Sequence, residues 1–300
     1  MTVKESINTV LRRGAGVQLV RTDTIAALEE RAAKARKKAK ASRARTIEVK
    51  AEHQKLLKYA RRHFWDLPPD YHPDMQRIWP LVKDRTMVGH EKMNYFLDAV
   101  RYITRAGIPG DIVECGVWRG GAMLGCALTL DALGDHSRDL YLYDTYEGMS
   151  EPTERDVHIW HGRTAEDELE RRTNRAAPIW EPGKVDDVAS AFDASQYPRD
   201  KIHFVKGKVE DTIPATVPEQ IAILRLDTDW YESTRHELEH LYPRLSPGGI
   251  LIIDDYGSWQ GSRDATDEYF ADHPDPVFLV RTGRGRAAVK PGLGAGATGS

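Results

Sequence analysis

Strand-like and helical segments alternate over the last two thirds of the chain, and this predicts an α/β fold. The expected architecture is a doubly wound, mostly parallel sheet with a C-terminal antiparallel hairpin and an N-terminal helical extension. Two observations carry that prediction. Five short apolar runs after Gly110 are separated by segments long enough for crossover helices, which parallel strands require. Two further strand-like runs then flank RTGRGR near the C-terminus, a spacing that suits antiparallel pairing.

The elements follow in order. TDTIAALEERAAKARKK opens on cap-type residues, Asp23 or Thr24, with Glu29 and Glu30 near its start, and so predicts a helix. No large apolar residue stands between Leu28 and Ile47, so that stretch adds little core and is either an exposed helix or disordered. In LLKYARRHFWDLPPDYHPDM, aromatics precede Pro68, Pro69 and Pro73, which predict a helix ending in an irregular segment. MNYFLDAVRYITRAGIPG spaces Met93, Phe96, Leu97, Val100 and Ile103 on one helical face and stops at Gly107, Pro109 and Gly110. The strands are DIVECGV, LYLYD, IHFVKG, IAILRLD and GILIID. GGAMLGCALTLDAL is the helix after the first strand, and STRHELEHLYPRLSPGG is a helix between the last two, with a Pro-Gly-Gly stop. VFLV and RAAVK form the hairpin, and PGLGAGATGS is a flexible tail. The predicted organisation is a basic helical extension and lid over 1–85, a sheet domain over 86–290, and the tail over 291–300.

The 300 residues carry a near-neutral charge of −3, ordinary for a globular protein. No apolar run reaches the roughly 18 residues that cross a bilayer, and MTVKESINTVLRRGAG lacks the apolar core of a signal peptide. Cys115 and Cys126 sit in apolar sequence and read as buried reduced thiols, so a cytoplasmic protein is expected. Charge is unevenly spread: residues 1–63 hold 17 Lys and Arg against 6 Asp and Glu, a net +11. A scaffold whose basic arm recruits nucleic acid or membrane would use that excess. The arm has neither interleaved aromatics for base stacking nor a large apolar face for lipid, so neither partner is expected.

Open α/β sheets bind ligands beyond the carboxyl ends of their strands. After the first strand, ECGVWRGGAM places Glu114 at the strand end and Gly116, Gly120 and Gly121 in the turn. This is neither the G-x-G-x-x-G of a dinucleotide site nor a phosphate-binding Gly-Lys-Ser/Thr loop. Such a turn suits a nucleoside ligand without a pyrophosphate, such as S-adenosylmethionine. Asp144, ending the second strand, is placed to accept ribose hydroxyls in a Rossmann-like sheet. LRLDTDWYEST and GILIIDDYG each end a strand in two carboxylates, Asp227 and Asp229, then Asp254 and Asp255. Adjacent strand ends lie about 5 Å apart, so these acids would converge and repel unless a cation sits among them. Oxygen ligands favour Mg²⁺, Mn²⁺ or Ca²⁺. Asp229 shares the face of Asp227 and would accept a proton from a coordinated hydroxyl. Asp-Thr-Asp also fits the D-x-D of a metal-dependent glycosyltransferase, though that reading leaves Asp254 and Asp255 unexplained.

Five motifs in order, VECGVWRGGAM, LYLYDTYEGM, FVKGKVEDTIP, LRLDTDWYEST and GGILIIDDYGSWQG, resemble the macrocin O-methyltransferase family, from about Thr86 to Lys290. The resemblance implies a methyltransferase sheet and Mg²⁺-dependent, or Mn²⁺-dependent, transfer from S-adenosylmethionine to a sugar hydroxyl. It implies cofactor contacts from Glu114, Gly116, Trp118 and Arg119 in the glycine turn, from Asp144 at the ribose, and from Thr86 and Met87 at the amino-acid end. Asp227, Asp254 and Asp255 match its metal ligands and Asp229 its base. It further implies a sugar-containing small molecule or oligosaccharide as acceptor, and a homo-oligomer. The loop after the second strand and the N-terminal segment would close over the substrate. A catechol-type O-methyltransferase shares the metal logic, and Trp118, Trp230 and Trp259 would line a slot for its phenolic acceptor. Two features depart from the family: the basic stretch Arg31 to Arg45, and a long lid with His158, Trp160 and His161. The His-x-x-His spacing there fits solvent or substrate contact better than metal.

Overall fold

The computed structural model describes residues 22–60, 67–173, 182–272 and 276–292. The chain divides into two compact units, 1–66 and 67–300. Among its described residues the first holds one long helix, α1 (Thr22–Ala60), exposed along the residues whose burial is defined. With Leu28, Ile47 and Val49 all facing solvent, its helicity rests on Ala-rich propensity and pairs such as Lys34–Glu30 at 2.8 Å.

The second unit is built on a seven-stranded sheet in the order β3-β2-β1-β4-β5-β7-β6. The strands are β1 (Asp111–Cys115), β2 (Leu140–Asp144), β3 (Ile202–Lys206), β4 (Ile221–Leu226), β5 (Leu245–Ile253), β6 (Val280–Thr282) and β7 (Gly285–Val289). The first five are parallel, and β7 runs antiparallel to both β5 and β6. The doubly wound sheet with its terminal hairpin is therefore as the sequence predicts. Alternate residues serve the two faces: Ile112 and Ile252 join one core, Val113 and Leu251 the other. The first core is completed by α2 (Met75–Val82), α3 (His90–Ala106) and α4 (Gly121–Leu133), and the second by α8 (Tyr231–Leu241) and α9 (Gln260–Asp272). Three shorter helices, α5 (Ala165–Thr173), α6 (Val185–Ala191) and α7 (Val209–Thr212), lie in the connections.

Three details differ from expectation. The Pro-rich segment gives way to α2, which tolerates Pro80 because Met75, Ile78 and Val82 bury one face at helical spacing. The predicted Pro-Gly-Gly helix stop lies inside β5: α8 ends at Leu241, Tyr242–Arg244 makes one 3₁₀ turn, and the strand starts at Leu245. A register shift between Ile221 and Ile223 of β4 takes up the irregular Pro247–Gly249 stretch opposite. The hairpin is also tighter than its two predicted runs, turning at Gly283–Arg284 with Gly283 at φ +63°. No helix among the described residues is long and apolar enough to cross a membrane. Both cysteines are buried and unpaired. Most of the predicted C-terminal tail, 293–300, lies outside the described residues.

Candidate active site

The carboxyl ends of β1 to β5 open into one cavity of about 410 Å³. Non-glycine residues with positive φ cluster just past these ends: Trp118 at +49°, Tyr146 at +54° and Asp229 at +68°. Such conformations are held only where the surroundings over-determine them. At Gly116 (φ +86°) a Cβ would overlap the Asp227 carbonyl, so β1 and β4 leave the sheet in contact.

The glycine turn after β1 is closed by its own hydrogen bonds. The amides of Val117 and Trp118 both donate to Asp144 Oδ2 at 2.8 Å, while Tyr146 N donates to Asp144 Oδ1 at 2.7 Å. Gly116 N donates to the Tyr143 carbonyl, Gly120 N to Val117, and Gly121 N to Arg85 at 2.9 Å. The last bond fixes the Arg85–Met87 segment on the first turn of α4.

The acids of β4 and β5 meet as predicted, and two cations of this chain meet them. Asp227, Asp254 and Asp255 each offer a carboxylate oxygen within 4.8 Å of the others. Arg225, 3% exposed on β4, reaches Asp227 Oδ2 and Asp254 Oδ1 through Nη2, both at 2.9 Å, and pairs with Glu114 through Nη1. Lys92 Nζ lies 2.5 Å from Asp254 Oδ2. The two cations are shared unevenly. Burial would raise Asp254, but the charges of Arg225 and Lys92 overcome it and hold its carboxyl below the usual range. Asp255 is pushed well up by burial and by the neighbouring Asp229 and Asp254 charges, and Asp227 by burial against the pull of Arg225. Burial pushes Glu114 up to about 8 against the same pull.

Behind Asp227 and Asp229 lies a buried acid that the sequence did not flag. Glu237, fully buried on α8, accepts from Thr228 Oγ1 at 3.0 and 3.2 Å, and so props the turn between the two aspartates. Burial raises its carboxyl well above the ordinary value. Its stabilising contribution is therefore complete below the unfolded value of about 4.3 and is lost as pH rises towards the folded one. Glu237→Gln should gain stability relative to the wild type between pH 5 and pH 8, read from urea midpoints at the two pH values. Parallel curves would mean that Glu237 is ionised in the fold.

The segment after β2 is pinned over α8 and α9. The buried carboxylate of Asp156 accepts from Thr153 N at 2.7 Å and from Tyr231 N at 2.8 Å, and Trp230 Nε1 donates to Ser150 O at 3.0 Å. Trp230 and Trp259 pack edge to face at 5.0 Å in a small buried cluster. They do not line the cavity, so the proposed phenolic slot retains only Trp118. His158 and His161 stack on each other at 3.8 Å; the only metal-type group found among the described residues is the aspartate cluster.

Of the residues given a cofactor, metal or base role from sequence, Met87, Gly116, Trp118, Asp144, Asp227, Asp229, Asp254 and Asp255 line one cavity. Three do not. Glu114 is 1% exposed and turned onto Arg225, Arg119 lies over the Trp118 ring at 4.9 Å, and Thr86 Oγ1 accepts from Val88 N. Lys92 and Arg284 line the cavity without having been flagged.

Comparison with known proteins bears on this arrangement. The family model described as Macrocin-O-methyltransferase (TylF) matches residues 17–278. The 8-demethyl-8-(2,3-dimethoxy-alpha-L-rhamnosyl)-tetracenomycin-C 4'-O-methyltransferase of Streptomyces olivaceus is 37% identical over 206 residues, 68% of this chain and 75% of the relative. The mycinamicin III 3''-O-methyltransferase of Micromonospora griseorubida is 36% identical, over 61% of this chain and 69% of its own. Among solved structures, the O-methyltransferase NovP superposes with a TM-score of 0.60 at 27% identity, covering 74% of this chain and 91% of that one. With strand order, cavity and matched length in agreement, the chain belongs to the macrocin O-methyltransferase family and is an S-adenosylmethionine-dependent O-methyltransferase.

Proposed function

We propose that the protein methylates a hydroxyl of a sugar or glycosylated small molecule, using Mg²⁺ or Mn²⁺ held by Asp227, Asp254 and Asp255, with Asp229 as base. The observation that carries this reading is the set of three carboxylates within 4.8 Å, in the same cavity as Asp144. Relatives named for methylating rhamnosyl-tetracenomycin and mycinamicin support a sugar-bearing acceptor. The D-x-D alternative has no support from these relatives.

The donor set fits a hard divalent ion. It is all oxygen, and Asp255 Oδ2 is buried without a hydrogen-bond partner. Such an ion supplies Lewis acidity, lowering the pKa of a hydroxyl bound to it. The remaining work falls to the chain. Asp229, aimed into the cavity by its left-handed turn, takes the hydroxyl proton on its carboxylate. Asp144 accepts two amides on Oδ2 and one on Oδ1, which leaves Oδ1 with room for a ribose hydroxyl. Gly116 and Trp118 flank the nucleoside, and Met87 its amino-acid end. Glu114, Thr86 and Arg119 act one step removed, holding Arg225, the Val88 turn and the Trp118 ring. Orientation of acceptor oxygen against the methyl group supplies a large part of the rate. The same reading makes the enzyme a cytoplasmic homo-oligomer, which sedimentation and fractionation test.

Calorimetry on chelator-treated protein tests the core of the reading. S-adenosylhomocysteine should bind at one site, and a following Mg²⁺ titration should show a second event that Asp255→Ala weakens. No binding of the nucleoside would remove the reading, and an unchanged Mg²⁺ isotherm in the variant would remove Asp255 as a ligand.

A further inference from the structure

Lys92 stands in the first turn of α3, where a cation opposes the helix dipole, so its place there does nothing for the helix. What it meets is Asp254. Its ammonium lies 2.5 Å from Asp254 Oδ2 and 3.2 Å from the Asp254 carbonyl, and the side chain lines the cavity with 23% of its surface exposed. Arg225 takes the other carboxylate oxygen, Oδ1, at 2.9 Å. Both oxygens of Asp254 therefore face a cation of this chain, whereas Asp255 Oδ2 is buried with no hydrogen-bond partner. The two cations are held with different firmness. Arg225 is buried within β4 and touches three acids, Glu114, Asp227 and Asp254. Lys92 comes from a helix outside the sheet and reaches Asp254 on a flexible four-carbon stem.

We propose that Lys92 is a built-in counter-cation of the metal site, and that its ammonium and the divalent ion are alternative partners of Asp254 Oδ2. This deepens the metal reading given above and rests on it. A carboxylate oxygen bonded to both would hold two like charges within about 5 Å of each other, in a site that water screens poorly. Release of Lys92 removes that repulsion and leaves its three N–H donors to water in the open cavity. Arg225 stays in place, because its departure would strand three buried acids. Lys92 thus balances Asp254 before the ion arrives, so the acids can be brought together during folding without metal. It also sets the affinity of the ion below what the three carboxylates alone would give.

Two measurements on chelator-treated protein saturated with S-adenosylhomocysteine test the exchange. In calorimetry, Lys92→Gln should bind Mg²⁺ about tenfold or more tightly than the wild type. Lys92→Arg, which keeps the charge, should lie closer to the wild type. Without metal, Lys92→Gln should melt about 2–4 °C below the wild type, and saturating Mg²⁺ should erase that deficit. The second measurement needs no variant: reductive methylation of the wild type, read by peptide mass spectrometry, should modify Lys92 faster once Mg²⁺ is added. Equal or weaker Mg²⁺ binding by a folded Lys92→Gln overturns the proposal, since Lys92 would then be holding Asp254 ready for the ion. A Lys92 labelling rate unchanged by Mg²⁺ overturns it as well. Absence of a Mg²⁺ event in wild type and variant alike is a separate result, which removes the metal reading itself.

Discussion

Asp229→Asn should lower turnover by about 10²–10⁴-fold, the usual cost of losing a general base, while S-adenosylhomocysteine binds as before. The substitution is clean because of the backbone. Asp229 sits at φ +68°, a conformation that asparagine tolerates better than almost any residue except glycine. The turn that Glu237 props through Thr228 should therefore survive, and only the proton acceptor is lost. Alanine at the same position would mix strain with chemistry and is the poorer probe. Single-turnover rates with saturating acceptor separate the two effects, and a variant turning over near the wild-type rate would remove Asp229 as base.

Arg225→Met should destabilise the sheet unit by about 3–5 kcal/mol, the range found when one partner of a buried ion pair is removed. For a unit of this size that corresponds to a fall in melting temperature of roughly 6–20 °C. The cause is specific: Asp254, whose carboxyl is held below the usual range, would keep only Lys92 as counter-charge, and Glu114 and Asp227 would lose their buried guanidinium partner. Arg225→Lys keeps the charge but has one ammonium where the guanidinium uses two nitrogens, so it should fall between the wild type and Met. Denaturant midpoints at pH 7 decide the matter. A loss under about 1 kcal/mol would mean that the surrounding acids are protonated and need no counter-charge.

The parts of the fold that follow from local pattern were legible in the sequence. Each of the five apolar runs after Gly110 became a strand, whereas of VFLV only Val280 lies in β6, and the helical face from Met93 to Ile103 packs against the sheet. Element ends were less so, because Pro-Gly-Gly is a plausible helix stop until strand pairing with β4 draws it into β5. The site shows the same division. Asp227, Asp254 and Asp255 were recognisable because strand adjacency brings strand ends together. Arg225 stood in plain view inside LRLDTDWYEST, yet the apolar run around it hid the signal: a guanidinium within a buried strand needs acids close by. Lys92 had no signal at all, since its contact with Asp254 spans 162 residues and depends on how α3 meets β5. Glu114 ends its strand like Asp144, but it points to Arg225, and no one-dimensional pattern separates the two orientations.

The closed hydrogen bonding of the glycine turn has a consequence for molecular discrimination. Asp144 acts there as a built-in anion, filling the nest of amides that in a dinucleotide enzyme stays vacant for its ligand. A competing coenzyme would have to evict that carboxylate from two charge-assisted bonds, each worth about 1.5–3 kcal/mol. Two such bonds amount to roughly a hundredfold to ten-thousandfold bias against it at equal concentration. The rejection operates before any shape matching by Trp118 or Met87, so the loop carries a selectivity filter whose active component is one of its own side chains.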